Sequence, residues 1–409
     1  MTQIAYAYRE RTTATTTTNT TYTDIENAAL SNASFTAGSK YLIVATAQMK
    51  SSANTQSVAF RLVHGSTEFA GSEHHFEPDD ANAQHMYGFF TVWTAVSTED
   101  VKMQMRAETS NTASADQACL FQMKIDTLTE NTDWFFNEDT TGDTVSATGW
   151  DTLASVAFTP SGVSDWLVMM SARQVADAAN RSVLSKIARR GEATSDLPQV
   201  SMEGRATGGP SANGIYLQTQ ARAFALTAVE NRFRQDSRGN SASSAFTRSR
   251  SAVFALNMNK FAQHASTFTE GTTSLLTANY SRNVQTMSLT PSTAGNYFVL
   301  GQSTADITVR TEWHKVRMQI DNVDQPPTQT SASAVLHSGI DATDEYMCNI
   351  LTVENLSAAA HLLDMDASAE TQSPWMRDRS IIAFSLELAA NGGPTTSPKM
   401  EPMLIVRKW

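Results

Sequence analysis

Only two cysteines, Cys119 and Cys348, occur in 409 residues, far apart. Neither a disulfide framework nor a CxxC or Cys/His metal pattern is therefore available, and stability has to come from packing. Charged residues are scarce as well, at 17% against the roughly 25% usual in soluble chains. No apolar run approaches the roughly 20 residues of a membrane span, and residues 1–11 hold no apolar signal core, so no membrane partner is expected and the product should stay in the compartment where it is made. Positive charge is not in excess: the formal net charge is -11 and the pI is near 5.2, which disfavours a nucleic-acid partner. The GxSxG elbow, the P-loop, the Gly-rich dinucleotide fingerprint and HExxH are all missing, and with them the commonest motif-borne chemistries.

What fills the space is Ser, Thr, Ala and Asn, small residues that sheet surfaces and turns accept. At 409 residues the chain exceeds one ordinary domain. A faint internal repeat divides it. Three segments open alike, Phe35-Thr36-Ala37-Gly38-Ser39-Lys40-Tyr41-Leu42-Ile43-Val44, then Phe158-Thr159-Pro160-Ser161-Gly162 leading to Trp166-Leu167-Val168, then Leu289-Thr290-Pro291 leading to Gly295-Asn296-Tyr297-Phe298-Val299. A mid-segment aromatic recurs at Tyr87, Tyr216 and Tyr346, spaced by 129 and 130 residues, and a closing Phe recurs at Phe121, Phe254 and Phe384, spaced by 133 and 130. Three landmarks in one order with one spacing indicate tandem triplication.

Within each unit, runs such as Val58-Ala59-Phe60-Arg61-Leu62-Val63 and Val101-Lys102-Met103-Gln104-Met105-Arg106 tend to alternate apolar with polar side chains, the period of a half-buried strand. Residues 357–364 and 175–184 are the best helical candidates, and both read equally well as strand and loop. Some eight short strands in about 130 residues fit an antiparallel β-sandwich of jelly-roll type. The expected fold is therefore all-β, three tandem sandwiches spanning 24–130, 131–262 and 263–409. Residues 1–23, ten of them Thr, form a leading arm too poor in apolar residues to fold alone. It is expected to add a strand to its own first sandwich or to a neighbouring subunit.

Candidate chemistry is thin. His64, Glu68, Glu73, His74, His75, Glu77, Asp79, Asp80 and His85 form the densest polar cluster. Neighbouring histidines on an extended chain point to opposite faces, so a solvated loop is the expectation and no metal ligand is assigned. Asp139-Thr140-Thr141-Gly142-Asp143 has oxygen ligands around a glycine but too few acids for a calcium loop, so a turn is expected. Glu77, Asp79 and Asp80, or Asp341, Asp344 and Glu345, offer carboxylate pairs without a frame that would make them a glycosidase. Cys119 and Cys348 lie in apolar runs and are expected to be buried and inert. No catalytic, cofactor-binding or metal residue and no cofactor is assigned.

The middle unit concentrates Arg173, Arg181, Lys186, Arg189, Arg190, Arg222, Arg232, Arg234 and Arg238, while the units either side are acidic. Such a surface is either a solvated face or one that meets acidic domains or a polyanionic glycan. Trp134, Trp150 and Trp375 are either core anchors or platforms for a sugar ring.

The opening from Phe35 to Ala47, followed by Phe60-Arg61-Leu62-Val63 and a late strand from Leu120 to Ile125, resembles the sandwich modules of bacteriophage virion structural proteins, of head-decoration or tail-associated type. That resemblance implies a non-enzymatic virion component, assembled in the host cytoplasm, acting through contacts with other virion proteins and with copies of itself as a homo-oligomer. Its alternative is a receptor- or carbohydrate-binding fibre that meets host surface glycan.

Overall fold

The computed structural model describes residues 2–54, 56–77, 84–96, 99–146, 149–176, 182–190, 202–205, 215–239, 245–270, 273–274, 281–307, 313–324, 334–337, 344–369 and 375–390. Among them nearly all regular structure is antiparallel strand, with only the single-turn 3-10 segments Asn32–Ser34 and Met258–Lys260 in addition. Neither helical candidate is helical where it is described: 175–176, 182–184 and 361–364 are strand, and 357–360 is the loop between two strands. In His361–Ala369, Leu363, Met365 and Ala367 all enter one apolar cluster and Asp364 and Asp366 do not, a period of two that no helix can serve.

The strands fall into three copies of one topology. In the first sandwich, count Tyr6–Arg11 with Thr15–Thr17 as one broken strand, then Thr23–Leu30, Lys40–Ser51, Val58–His64, His74–Phe76, Gln84–Thr94, Val101–Ala107 and Ala113–Lys124. One sheet then runs first, eighth, third, sixth, and the other runs second, seventh, fourth, fifth. The same two orders recur from Trp134–Asp139 to Ala245–Asn257, and from His264–Thr269 to Trp375–Ser385. Eight strands in this pair of sheets are a jelly roll. The Thr-rich arm is no appendage in this arrangement: Tyr6–Arg11 and Thr15–Thr17 both pair with Ala113–Lys124.

Strand register refines the repeat. The third strands align as Leu42, Leu167 and Phe298, and the eighth-strand partners of these are Met123, Leu256 and Phe384. Phe384 therefore stands two residues out of step with Phe121 and Phe254. Similarly, Tyr87 lies opposite Ala47, and the equivalent positions hold Gln218 and Cys348, two residues beyond Tyr216 and Tyr346. A slip of two leaves each side chain on the same face of its strand, so the apolar pattern keeps its period while individual landmarks drift.

Three apolar clusters lie one within each sandwich. The largest other cluster lies between the sandwiches, because the sheet holding strands first, eighth, third and sixth is apolar on both faces. Its outer face contributes Leu42, Val44 and Phe121 from the first unit, Leu167, Met169 and Phe254 from the second, and Phe298, Leu300 and Phe384 from the third. The Phe298 ring sits 4.9 Å from Phe121 and 4.8 Å from Phe384. Three equivalent sheets thus turn the same face to a common pseudo-threefold axis.

Because this fourth cluster spans all three units, they should unfold together. Phe298→Ala removes the ring that touches two units and is expected to cost about 3–5 kcal/mol, as for other buried Phe truncations. Thermal denaturation followed by circular dichroism should still show one transition, at lower temperature.

Candidate functional site

The densest chemistry in the molecule lies where the units meet. Along the axis, the apolar layer gives way to a polar one one step further along the third strands, where Thr46, Ser171 and Gln302 stand at equivalent positions opposite Gly88, Thr219 and Asn349. The Thr219 hydroxyl donates to the Gly88 carbonyl at 2.7 Å, the Asn349 amide donates to the Thr219 carbonyl at 3.1 Å, and the Gln302 amide donates to Asn349 Oδ1 at 2.6 Å. The Ala221 N–H in turn donates to Gln302 Oε1 at 2.9 Å. These bonds satisfy backbone groups on the sixth strands, the free edges of the inner sheets, which would otherwise be buried without partners. Gly88 permits the close approach: a Cβ there would lie 2.8 Å from Asn349 Nδ2, and the amide would have to shift.

The junction of the first and second units is held by two cations. Arg250, fully buried, donates to Glu138 at 2.7 Å and to the Phe90 carbonyl of the first unit at 2.9 Å, with its guanidinium 4.6 Å from the Phe89 ring centre. Gly71, at φ +64, leaves the room that the Arg250 stem occupies. Arg173 reaches Glu73 of the first unit at 3.1 Å. At the next junction Arg222 lies 3.6 Å over the ring of Phe268 in the third unit. At least part of the middle unit's basic character is thus spent on its acidic neighbours, not on solvent.

The histidine cluster is also a junction. For His74 and its neighbours the reading as a solvated loop is corrected here: His74–Phe76 is a strand, and the second unit's sixth strand packs over it. His74 is buried, accepts the Leu217 N–H at Nδ1 (2.7 Å), and stacks on His85 at 5.0 Å, with Phe76 on His85 at 5.2 Å. Leu217, from the second unit, joins the first unit's apolar cluster. His75 sits between Glu73 (3.1 Å) and Glu108 (3.0 Å), and Glu73 accepts from Tyr22 at 2.6 Å. Burial pushes His74 well below the usual imidazole range, and the neighbouring His85, His75 and Arg173 push it the same way. Burial pushes His85 down to about 4. Burial opposes the charged form of His75 too, but Glu108 and Glu73 outweigh it and raise its pKa. The bond from His75 holds Glu73 down to about 2, against its own burial.

Other sequence candidates separate. Asp139 accepts from the Thr141 N–H and hydroxyl at 2.8 and 2.6 Å, a local turn, while Asp143 binds Arg248 at 2.7 Å. Asp79, Asp80 and Asp341 lie outside the described residues, as do the side chains of Asp344, Glu345, Cys348 and Trp375. Cys119 is buried on the axis-facing side, its thiol pushed up to about 12 by burial. Trp134 is a buried anchor at the first junction, and Trp150 is half-buried at the surface, with Lys186 and Arg238 against its ring. No group of three or more His, Cys, Asp or Glu side chains suited to a metal ion occurs among the described residues. Sequence reasoning missed Arg250 and Gln302; a charge and an amide in strands otherwise apolar on that face were the available signal.

The third and first units have no covalent link of their own. Thr2–Gln3 pairs with Glu387–Leu388, the Ile4 N–H donates to the Leu386 carbonyl at 2.9 Å, and the Tyr8 hydroxyl reaches the Leu351 carbonyl at 3.5 Å. Beside this seam runs an open groove of about 640 Å³ lined by residues 3–9 with Asn296 and Val353. A second cavity, between Arg222, Phe268 and Arg379, is about 10 Å³, barely the space of one water.

No family model matches the chain, and no curated protein matches it. Among solved structures, it is similar to an archaeal-virus protein described by its triple jelly roll fold and turret assembly, at 10% identity, covering 92% of this chain and 83% of that one, with a TM-score of 0.21. It is similar to a protein of Sulfolobus turreted icosahedral virus at 10% identity, covering 85% and 81%, TM-score 0.20, and to one of infectious bursal disease virus, Gt strain, at 7% identity, covering 98% and 87%, TM-score 0.23. At such scores these likenesses carry no argument, and the jelly-roll assignment rests on strand order.

The first junction should be acid-sensitive. His74 and His85 bind protons less readily folded than unfolded, so the stability they contribute is present above about pH 6.5 and is lost as pH falls toward about 4. His75 acts oppositely, contributing below about pH 6.5, and Glu73 adds a loss only below about pH 4.5. The melting temperature is expected to fall between pH 6.5 and pH 4. His85→Phe, which keeps the stack on Phe76 and His74, should flatten that fall in a calorimetric pH series.

Proposed function

We propose that the chain is a non-enzymatic structural component of a bacteriophage virion, a capsid decoration or cement protein or a tail-associated protein. It would consist of three module copies, 24–130, 131–262 and 263–409, the first completed by the arm 1–23. The observation that carries this reading is that, among the described residues, the most closely knit buried polar groups bind the three sandwiches to one another. Arg250, Arg173, Gln302, Asn349 and His74 all act across junctions. What is left for function among the described residues is chiefly the outer sheets, which offer contact area. Jelly rolls recur in viral capsid and lectin domains, and the resemblance of the 35–47 opening to virion modules supports the first of these.

Its partners are then other virion proteins. The chain covers its own axis-facing sheets, so copies of itself are not needed for that, and further copies would meet through outer faces. Mass spectrometry of gradient-purified particles from the source culture is expected to detect the chain at stoichiometric abundance, and a reconstruction of those particles should show a three-lobed density in contact with head or tail subunits. Absence from purified particles would overturn the proposal.

A further inference from the structure

On the middle unit, the sheet that faces away from the axis holds Ser182–Arg190 and Asn231–Gly239 side by side, in the register Lys186 opposite Asp236 and Ala188 opposite Arg234. Phe233 and Ile187 enter the sandwich core, so strand alternation turns Arg232, Arg234, Asp236 and Arg238, with Lys186, to the outside. Lys186 and Asp236 are buried beneath this face, so its outward cations are Arg232, Arg234 and Arg238, in a chain whose net charge is -11. Arg232 is exposed and Arg238 half-buried. Asp236 accepts from Arg234 at 2.9 Å. Trp150 organises the rest: Lys186 Nζ lies 4.3 Å and the Arg238 guanidinium 4.6 Å from the indole centre, contacts in which the ring face attracts each cation.

The fold does not demand this charge. In the third unit the matching register sets Asp364 opposite Gln319 and Asp366 opposite Arg317. The acid–cation pair is therefore common to both units, while Arg234 stands where the third unit carries Asp364. The other outward positions of this face include the small residues Ser155, Ala157 and Ala188. Alternate residues along a strand are about 7 Å apart, so Arg232 and Arg234 stand one such step apart and Arg238 two steps further, past Asp236, a row suited to a polymer that carries repeated charge.

We propose that this face binds a polyanionic saccharide, carboxylated or sulfated. Arg232, Arg234 and Arg238 would meet its anionic groups, and Trp150 would hold Arg238 and Lys186 in place. The proposal is independent of the structural role, since a decoration protein and a free protein would carry the same face.

The test is binding of the full-length protein to immobilised dextran sulfate and polygalacturonate, with neutral dextran as control, at 50 and 500 mM salt. Retention on at least one charged polymer at low salt, a loss of tenfold or more at high salt, and none on dextran are expected. Arg232→Glu with Arg238→Glu should abolish retention, the milder Arg232→Gln with Arg238→Gln should lower it at least fivefold, and Trp150→Ala should lower it severalfold, each with an unchanged circular dichroism spectrum. Lys102→Glu, on the corresponding face of the first unit, should have no effect. No retention at low salt, equal retention by the arginine variants, or a comparable loss in Lys102→Glu would overturn the assignment. So would displacement by polyglutamate or poly(dT) as effective as by dextran sulfate at equal charge, since that would make the face one for acidic protein or nucleic acid.

Discussion

The structure depends on covering three sheets that are apolar on both faces. A sandwich needs only one buried face per sheet, yet Leu42, Leu167 and Phe298, with Phe121, Phe254 and Phe384, extend apolar character to the far side of each inner sheet. Left in water, that surface would cost about 25 cal/mol for every Å². Arranging the three sheets about one axis removes it, and also places the free sixth-strand edges where Thr219, Asn349, Gln302 and Arg250 can bond them. Burial and edge protection are solved by the same arrangement.

Triplication in one chain also lets the copies diverge. A symmetric trimer would repeat each axis residue three times; here Gly88, Thr219 and Asn349 stand at one position and interlock because they differ in size and in donor capacity. The same freedom lets the middle unit carry arginines that pair with Glu73 and overlie Phe268 on either side, and an outer face whose charge is opposite to that of the third.

The junctions differ in character. The first buries titratable groups, His74, His85 and Arg250, whose charge states are set by desolvation, so it is the one most open to control by pH. The one between the third and first units relies on a two-residue strand pair and aromatic contact, with no linker of its own. Buried ionic contacts such as Arg250 with Glu138 add little net stability compared with apolar packing; the apolar layer supplies adhesion and the polar layer bonds the strand edges.

The amino-acid order alone was enough to establish an all-β chain, its sandwiches and the triplication, because alternation and spacing are local properties that survive a two-residue slip of Tyr216 or Phe384. It also showed that Cys119 and the runs around Phe121 would be buried. It did not show against what. An apolar residue on a strand reads the same whether it faces its own sandwich or a neighbouring one, and His74 reads as a loop residue until the strand carrying Leu217 lies across it. Which face meets which neighbour, and hence which charges are neutralised and which remain on the surface, was decided only by tertiary structure, since contacts between residues more than a hundred positions apart leave no periodic trace in either segment.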